Sequence, residues 1–234
     1  MTAQLLRVSG LHAYYGESHV LHGVECDVAR GEVVTLLGRN GAGRTTTLKA
    51  VLGLVGNRCG SVRIDGRETI TLPPHTIARL GVAYCPEERG IYSSLSTEEN
   101  LLLPPLLAPG GMSVEEIYVM FPNLKERRTS RGTHLSGGEQ QMLALARILR
   151  TGARLLLLDE ISEGLAPVIA QALARTIQGL RKRGYTIVLA EQNFRFAAPL
   201  ADRLYLMEGG RVVEGFAARQ LSDKMALLHQ YLGV

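Results

Sequence analysis

The sequence predicts an α/β fold with a mostly parallel sheet, a small antiparallel β portion and a helical insert. Three observations predict it. Strand-like and helix-like stretches alternate in regular order from residue 135 onward, the pattern of βαβ units. Gly38-Arg39-Asn40-Gly41-Ala42-Gly43-Arg44-Thr45-Thr46 lies between an apolar strand and a helix and matches the phosphate-binding loop G-x-x-x-x-G-K-[ST]. The one mismatch is Arg44, where the pattern has lysine. A fully apolar strand, Leu155 to Leu158, ends on two acids, Asp159 and Glu160.

The chain has 234 residues, enough for one large domain or two closely joined ones. It is 46% hydrophobic and 21% charged, the composition of a globular protein with an ample core. The net charge of +4 raises anionic partners, but no compact basic stretch with interleaved aromatics appears. Nucleic acid is therefore not expected. The three cysteines, Cys26, Cys59 and Cys85, have no metal-ligand spacing and read as reduced thiols. Neither a signal segment nor an apolar run of about 18 residues is seen, so any membrane anchor must come from another protein.

In chain order, Leu5 to Val8, Leu11 to Tyr14 and Val20 to Val28 read as strands. Tyr15, before Gly16, offers a flat face on which adenine stacks. Glu32 to Leu37 is apolar and β-branched, a buried strand. Leu48, Val51 and Leu52 fall at helical spacing and predict a helix over 45–54. Ser61 to Ile64 and Arg67 to Thr69 flank Asp65-Gly66 as a hairpin. Thr76 to Leu80 is a short helical turn, and 81–85 a strand stopped by Pro86. Residues 87–134 change character, with loop marks at Pro104-Pro105 and Pro109-Gly110-Gly111 around helices over 97–103 and 113–120. Ser96 or Thr97 caps the first of these. Glu139 to Arg150 is a helix with Met142, Leu143, Leu145, Ala146 and Leu149 on its inner side. After the strand at 155–158 come a helix over 168–183, a strand over 186–190 and a helix over 194–201. A hairpin at Gly209-Gly210 and a helix over 225–232 close the chain.

The chemistry follows from charge. Glycines in the 38–46 loop let backbone N–H groups converge on one anion, and the following helix adds its dipole. The Thr45 hydroxyl is placed to ligate a Mg²⁺ on the β- and γ-phosphates of a nucleoside triphosphate. Acids at the end of a buried strand are costly without a task. Asp159 fits the Mg²⁺ ligand, and Glu160 the general base that orients and deprotonates water. Leu135-Ser136-Gly137-Gly138-Glu139-Gln140-Gln141 opens a helix and forms a second anion-binding start. One triphosphate rarely needs two, so Ser136, Gly137 and Gly138 are expected to read phosphates held by a partner subunit.

With these strings the chain resembles, over essentially all its length, the ATP-binding subunits of ABC transporters. Leu135 to Gln141 looks like the family's signature motif, Gly38 to Thr46 like its Walker A loop, and Leu155 to Glu160 like its Walker B strand. The resemblance implies a P-loop NTPase core spanning 1–86 and 151–234 with the β subdomain. The helical insert and signature helix would span 87–150. It implies ATP and Mg²⁺ as cofactors and two subunits stacked head-to-tail, each ATP lying between one Walker A loop and the other signature. The family's aromatic loop falls on Tyr15 and its D-loop on residues 163–166. The Q-loop glutamine position holds Glu87, the H-loop histidine position Gln192, and the D-loop aspartate position Ala166. That set looks like the branched-chain amino acid importers of the LivF type, with importers of urea or short amides close by.

Gln192 can donate an amide hydrogen to a γ-phosphate oxygen without becoming a cation, and Glu87 can ligate Mg²⁺ as an acceptor. The implied partners are a second ATPase subunit, a different chain or a copy, two membrane permease subunits and, indirectly, an extracytoplasmic solute-binding protein. The implied location is cytoplasmic, on the inner face of the membrane. Arg44 is wider than lysine and forked, so hydrolysis is expected to be slowed while MgATP still binds. The alternative is a regulatory nucleotide-binding subunit with little hydrolysis. A soluble ABC protein of DNA repair or ribosomes fits less well, since there is one cassette and no heptad run.

Overall fold

The computed structural model describes residues 4–233. Strand β3 (Val33–Leu37) is buried on both faces, as its unbroken apolar run requires. It pairs in parallel with β8 (Thr186–Glu191) and with β9 (Arg203–Glu208). β7 (Leu155–Asp159) pairs in parallel with β8 and with β6 (Val82–Cys85). With β10 (Arg211–Ala217) antiparallel on β9, the six strands run in the order β10-β9-β3-β8-β7-β6. A second, antiparallel sheet has the order β2-β1-β4-β5, from β1 (Gln4–Tyr15), β2 (Ser18–Ala29), β4 (Asn57–Ile64) and β5 (Arg67–Glu68).

The alternation of side chains along each central strand splits the core between two layers. On β7, Leu156 and Leu158 pack among the helices α3 (Thr97–Leu102), α4 (Val114–Met120), α5 (Pro122–Glu126), α6 (Gly137–Arg150) and α7 (Pro167–Lys182). Leu155 and Leu157 pack on the other side, with the antiparallel sheet, α1 (Arg44–Val51) and α2 (Pro74–Ala78). A third cluster joins Leu37, Leu204 and Phe216 to α8 (Phe194–Ala197) and α9 (Met225–Leu232). All five inner-side residues expected on the signature helix are buried.

Several boundaries differ from the sequence reading. The first two strands are one, β1, which bulges between Val8 and Leu11 around Gly10 at φ +55° instead of ending there. The helix at 194 stops at Ala197, because Pro199 cannot continue the backbone ladder. The turn expected over 76–80 starts at Pro74, where the locked proline φ suits the first helical turn. Helix α5 goes unforeseen, since five residues are too few to show a period.

Gly38 ends β3 where a Cβ would lie 2.6 Å from the Met207 carbonyl oxygen and 2.7 Å from Ala42 Cβ. The first neighbour is backbone and cannot swing away. Gly38→Ala should therefore cost about 1–3 kcal/mol, the usual penalty of overpacking. Urea unfolding checks this; a midpoint unchanged from the parent would refute it.

Candidate nucleotide-binding and catalytic site

The loop and α1 carry the site. Gly43 adopts φ +99°, open to glycine, and turns the chain into α1. The Thr47 hydroxyl donates to the Gly43 carbonyl at 2.8 Å and fixes this first turn. Arg44 is therefore held at the N-terminus of α1, folded inward and only 3% exposed. Its Nη2 donates to Glu160 Oε1 at 2.7 Å and to Asn40 Oδ1 at 3.1 Å. Its Nη1 is buried with no acceptor. An unpartnered buried guanidinium N–H beside a glycine loop and a helix N-terminus fits an anionic group such as phosphate.

Beside it, the Thr45 hydroxyl donates to Asp159 Oδ1 at 3.0 Å. The Tyr84 hydroxyl donates to Asp159 Oδ2 at 2.8 Å. Asp159 is fully buried, and burial outweighs these two donors to raise its pKa. Thr45 and Asp159 thus place two oxygen donors together, a hard donor set that suits Mg²⁺.

Glu160 has a backbone φ of +46°, in the left-handed region, held by its N–H donating to the Ala190 carbonyl at 2.9 Å. Its pKa is raised to about 7, first by desolvation, then by the neighbouring Glu163 and Glu87, with Arg44 pulling the other way. The oxygens of Glu87, Glu160 and Glu163 lie within 4.8 Å of one another. A base near neutrality is in the right state to take a proton from water and return it. Glu160 must be ionised to act, so kcat/KM for ATP should climb with pH through about 7 and level off above it. A flat profile between pH 6 and 8.5 would exclude Glu160 as the base.

Expected site residues divide between those gathered here and those standing apart. Arg44, Thr45, Asp159 and Glu160 meet through direct hydrogen bonds. Glu87 is exposed and sits with Glu160 and Glu163 rather than among the partners of Asp159. Arg39, Asn40 and Gly41 are exposed on the loop, Ala42 is buried, and Thr46 is half-buried. Tyr15 (49% exposed) and Gln192 are solvent-facing. Ser136 and Gly137 are exposed at the start of α6, and Gly138 is buried against Ile169. Among the described residues, no hydrogen bond ties Ser136, Gly137 or Gly138 to the 38–46 loop. Ser136 and Glu139 instead form a reciprocal capping box.

Four residues were not singled out from sequence. Tyr84 reaches Asp159 from the neighbouring strand, and Glu163 crowds Glu160. Arg89, at φ +63°, donates to Gln141 Oε1 at 3.2 Å and to Gln140 Oε1 at 3.3 Å, so it links the segment after Glu87 to the signature helix. Glu191 is fully buried and accepts from the Ser162 backbone N–H at 3.1 Å and from its hydroxyl at 2.9 Å. A glutamate at the end of an apolar strand, next to Gln192, was the available signal for the last of these.

Burial raises the Glu191 pKa to about 7, against the pull of the two Ser162 donors. A carboxyl whose folded pKa exceeds its unfolded value adds stability below the unfolded value, near 4.5, and loses it as pH rises through 7. Glu191→Ala strands two buried Ser162 donors and should cost about 2–4 kcal/mol in urea unfolding, whereas Glu191→Gln keeps an acceptor and should cost much less. Equal losses in the two variants would refute the clamp.

A glycine loop opening a helix, a buried cation aimed into it and a strand ending in adjacent acids define a P-loop nucleoside triphosphatase. Comparison with known proteins narrows the class. The ABC transporter family model matches residues 21–163. The chain is 41% identical over 232 residues to the high-affinity branched-chain amino acid transport ATP-binding protein BraG of Pseudomonas aeruginosa, covering 98% of this chain and 100% of that one. It is 36% identical to a probable branched-chain amino acid transport ATP-binding protein LivF of Archaeoglobus fulgidus, covering 94% of each. A nucleotide-free ATP-binding cassette from an ABC transporter superposes with a TM-score of 0.82 over 95% of each chain at 21% identity, which shows the shared fold. The chain belongs to the ABC transporter family, as one of its ATP-binding subunits.

Proposed function

We propose that this chain binds and hydrolyses ATP to drive uptake of branched-chain amino acids through an ABC importer. The observation that carries the proposal is full-length similarity to BraG at 41% identity, joined to an Arg44–Thr45–Asp159–Glu160 cluster assembled at the loop. Thr45 and Asp159 would hold Mg²⁺, with Glu87 nearby, and bound Mg²⁺ would neutralise phosphate charge. The chain's own work is then local. The loop amides and Arg44 bind the phosphates, Asp159 orients Thr45, and Glu160 takes the proton from the attacking water. Tyr15 stacks the adenine, Gln192 donates to the γ-phosphate, and Ser136, Gly137 and Gly138 close on the ATP of a second ATPase subunit.

No helix among the described residues is long and apolar enough to cross a membrane. In this reading the chain works on the inner face of the membrane against two permease subunits, contacting them through residues 87–150 and the segment near Glu87, with an extracytoplasmic solute-binding protein delivering the solute. The Arg44–Glu160 ion pair supports a second reading, a subunit that binds ATP while its partner supplies most of the turnover.

The test is reconstitution with permease, partner ATPase and binding protein in proteoliposomes. Leucine, isoleucine or valine should stimulate phosphate release and be taken up. Stimulation by urea or short amides alone would reassign the solute. Nucleotide binding with no turnover above a Glu160→Gln control would favour the second reading.

A further inference from the structure

We propose that the outer face of the antiparallel sheet carries a binding site for a divalent transition-metal ion such as Zn²⁺, formed by His12, His19 and His22. The three lie on β1 and β2. In register, His12 stands opposite His22, and Tyr14 opposite His19. Leu11, Ala13 and Leu21 alternate with them and are fully buried, so the histidines occupy the opposite, outward face. Tyr15 falls in the other register from His12 and Tyr14, while His22 N–H donates to the Gly210 carbonyl at 2.9 Å and Gly210 N–H to the Ala42 carbonyl at 3.0 Å, so a single residue lies between this cluster and the nucleotide loop.

The geometry is that of a near-formed chelate. His12 Nδ1 and His19 Nε2 are hydrogen-bonded at 3.0 Å, so a metal ion would take the place of the proton they share. Two nitrogens bound to one tetrahedral Zn²⁺ stand about 3.3 Å apart, given Zn–N bonds of about 2.0–2.1 Å. A small outward shift of one ring therefore admits the ion. The His22 ring is next, 4.0 Å from the His19 ring between centroids. Its nitrogens do not yet converge with the other two, so His22 must turn about its side chain to become the third ligand. Tyr14 stacks on His19 at 4.3 Å and 15°, holding that ring upright. Imidazole suits Zn²⁺, Cu²⁺ and Ni²⁺ and not Mg²⁺, so the cluster and the nucleotide site select different ions. The positive charge of Arg211, near His22, opposes a dication and weakens its binding.

The full chain, free of nucleotide and Mg²⁺, would be titrated with ZnCl₂ by calorimetry. One saturable site is expected. Changing even a group that only supports a metal ligand costs about 10–100-fold in affinity, so His12→Ala and His19→Ala should each weaken it at least tenfold, with a smaller loss in His22→Ala. Unchanged affinity in the His12→Ala/His19→Ala double variant would overturn the site. So would loss confined to Cys59→Ser or Glu160→Gln. Electron paramagnetic resonance of the unmodified protein with one equivalent of Cu²⁺ gives a reading independent of any variant. Coupling to two or more imidazole nitrogens is expected, and a purely oxygen-ligated spectrum would overturn the proposal.

Discussion

Replacing Arg44 with lysine raises the rate of ATP hydrolysis by about 10²-fold, the lower end of what one transition-state contact commands. In the structure the guanidinium spends one nitrogen on both Glu160 and Asn40 and leaves the other unpartnered. Nη1 can meet a phosphate only from where the Nη2–Glu160 pair holds the planar fork, and breaking a buried ion pair to reorient it is costly. The same pair draws on the negative charge of the group that must accept the proton. A lysine ammonium is compact, with three rotatable donors, and can follow a phosphate oxygen without a planar fork to reorient. The expected change lies in kcat, with a smaller change in ATP affinity, because the loop amides are common to both proteins. Steady-state phosphate release on the assembled transporter measures it. Equal turnover in the two proteins, or slower turnover with lysine, would show that the pocket accommodates arginine at no catalytic loss.

Glu160→Gln lowers turnover by about 10²–10⁴-fold, the share of a positioned general base, and leaves ATP bound. Glutamine keeps an oxygen that can accept from Arg44, so the loop retains its shape, while the proton acceptor is gone. Its residual rate should lose the rise with pH through about 7 that Glu160 gives the parent. A variant that still hydrolyses ATP at more than a tenth of the parental rate would move the base elsewhere, with Glu163, crowded against it, the first candidate.

The parts of the site that follow local rules were legible in the sequence. The loop, the acids after Leu158 and the serine-capped glycine helix are short strings with fixed local geometry, and each has the predicted setting. The pairing of Arg44 with Glu160 was not legible, since it joins residues 116 apart in sequence. Tyr84 reaches Asp159 only because β6 lies beside β7 in parallel, a choice of sheet order that periodicity does not encode. Glu191 lay just past the strand read over 186–190, and its role shows only once its partner, Ser162, comes in from the segment after Glu160. On the β side, the merged strand β1 shows the same limit: a glycine that marks a turn in sequence is a bulge once a partner strand is present.

Arg89 and its surroundings bear on how such subunits can be recombined. Besides gripping Gln140 and Gln141, the segment after Glu87 is sewn to the stretch before α6 by Thr97 N–H to the Ser130 carbonyl and Gly132 N–H to the Leu95 carbonyl, and to α6 itself by Arg147 to the Gly90 carbonyl. Residues 86–100 and 128–147 are thus two halves of one clasp, separated in sequence by the helices between them. A chimera that exchanges only residues 101–127 with a relative keeps the clasp whole. A crossover at 92 or 136 pairs halves that did not arise together, and the mismatch falls on the helix start expected to face the other subunit's nucleotide. Segments meant to redirect such a subunit to a different permease should be cut before Pro86 and after Arg150, so that the clasp travels as one cartridge.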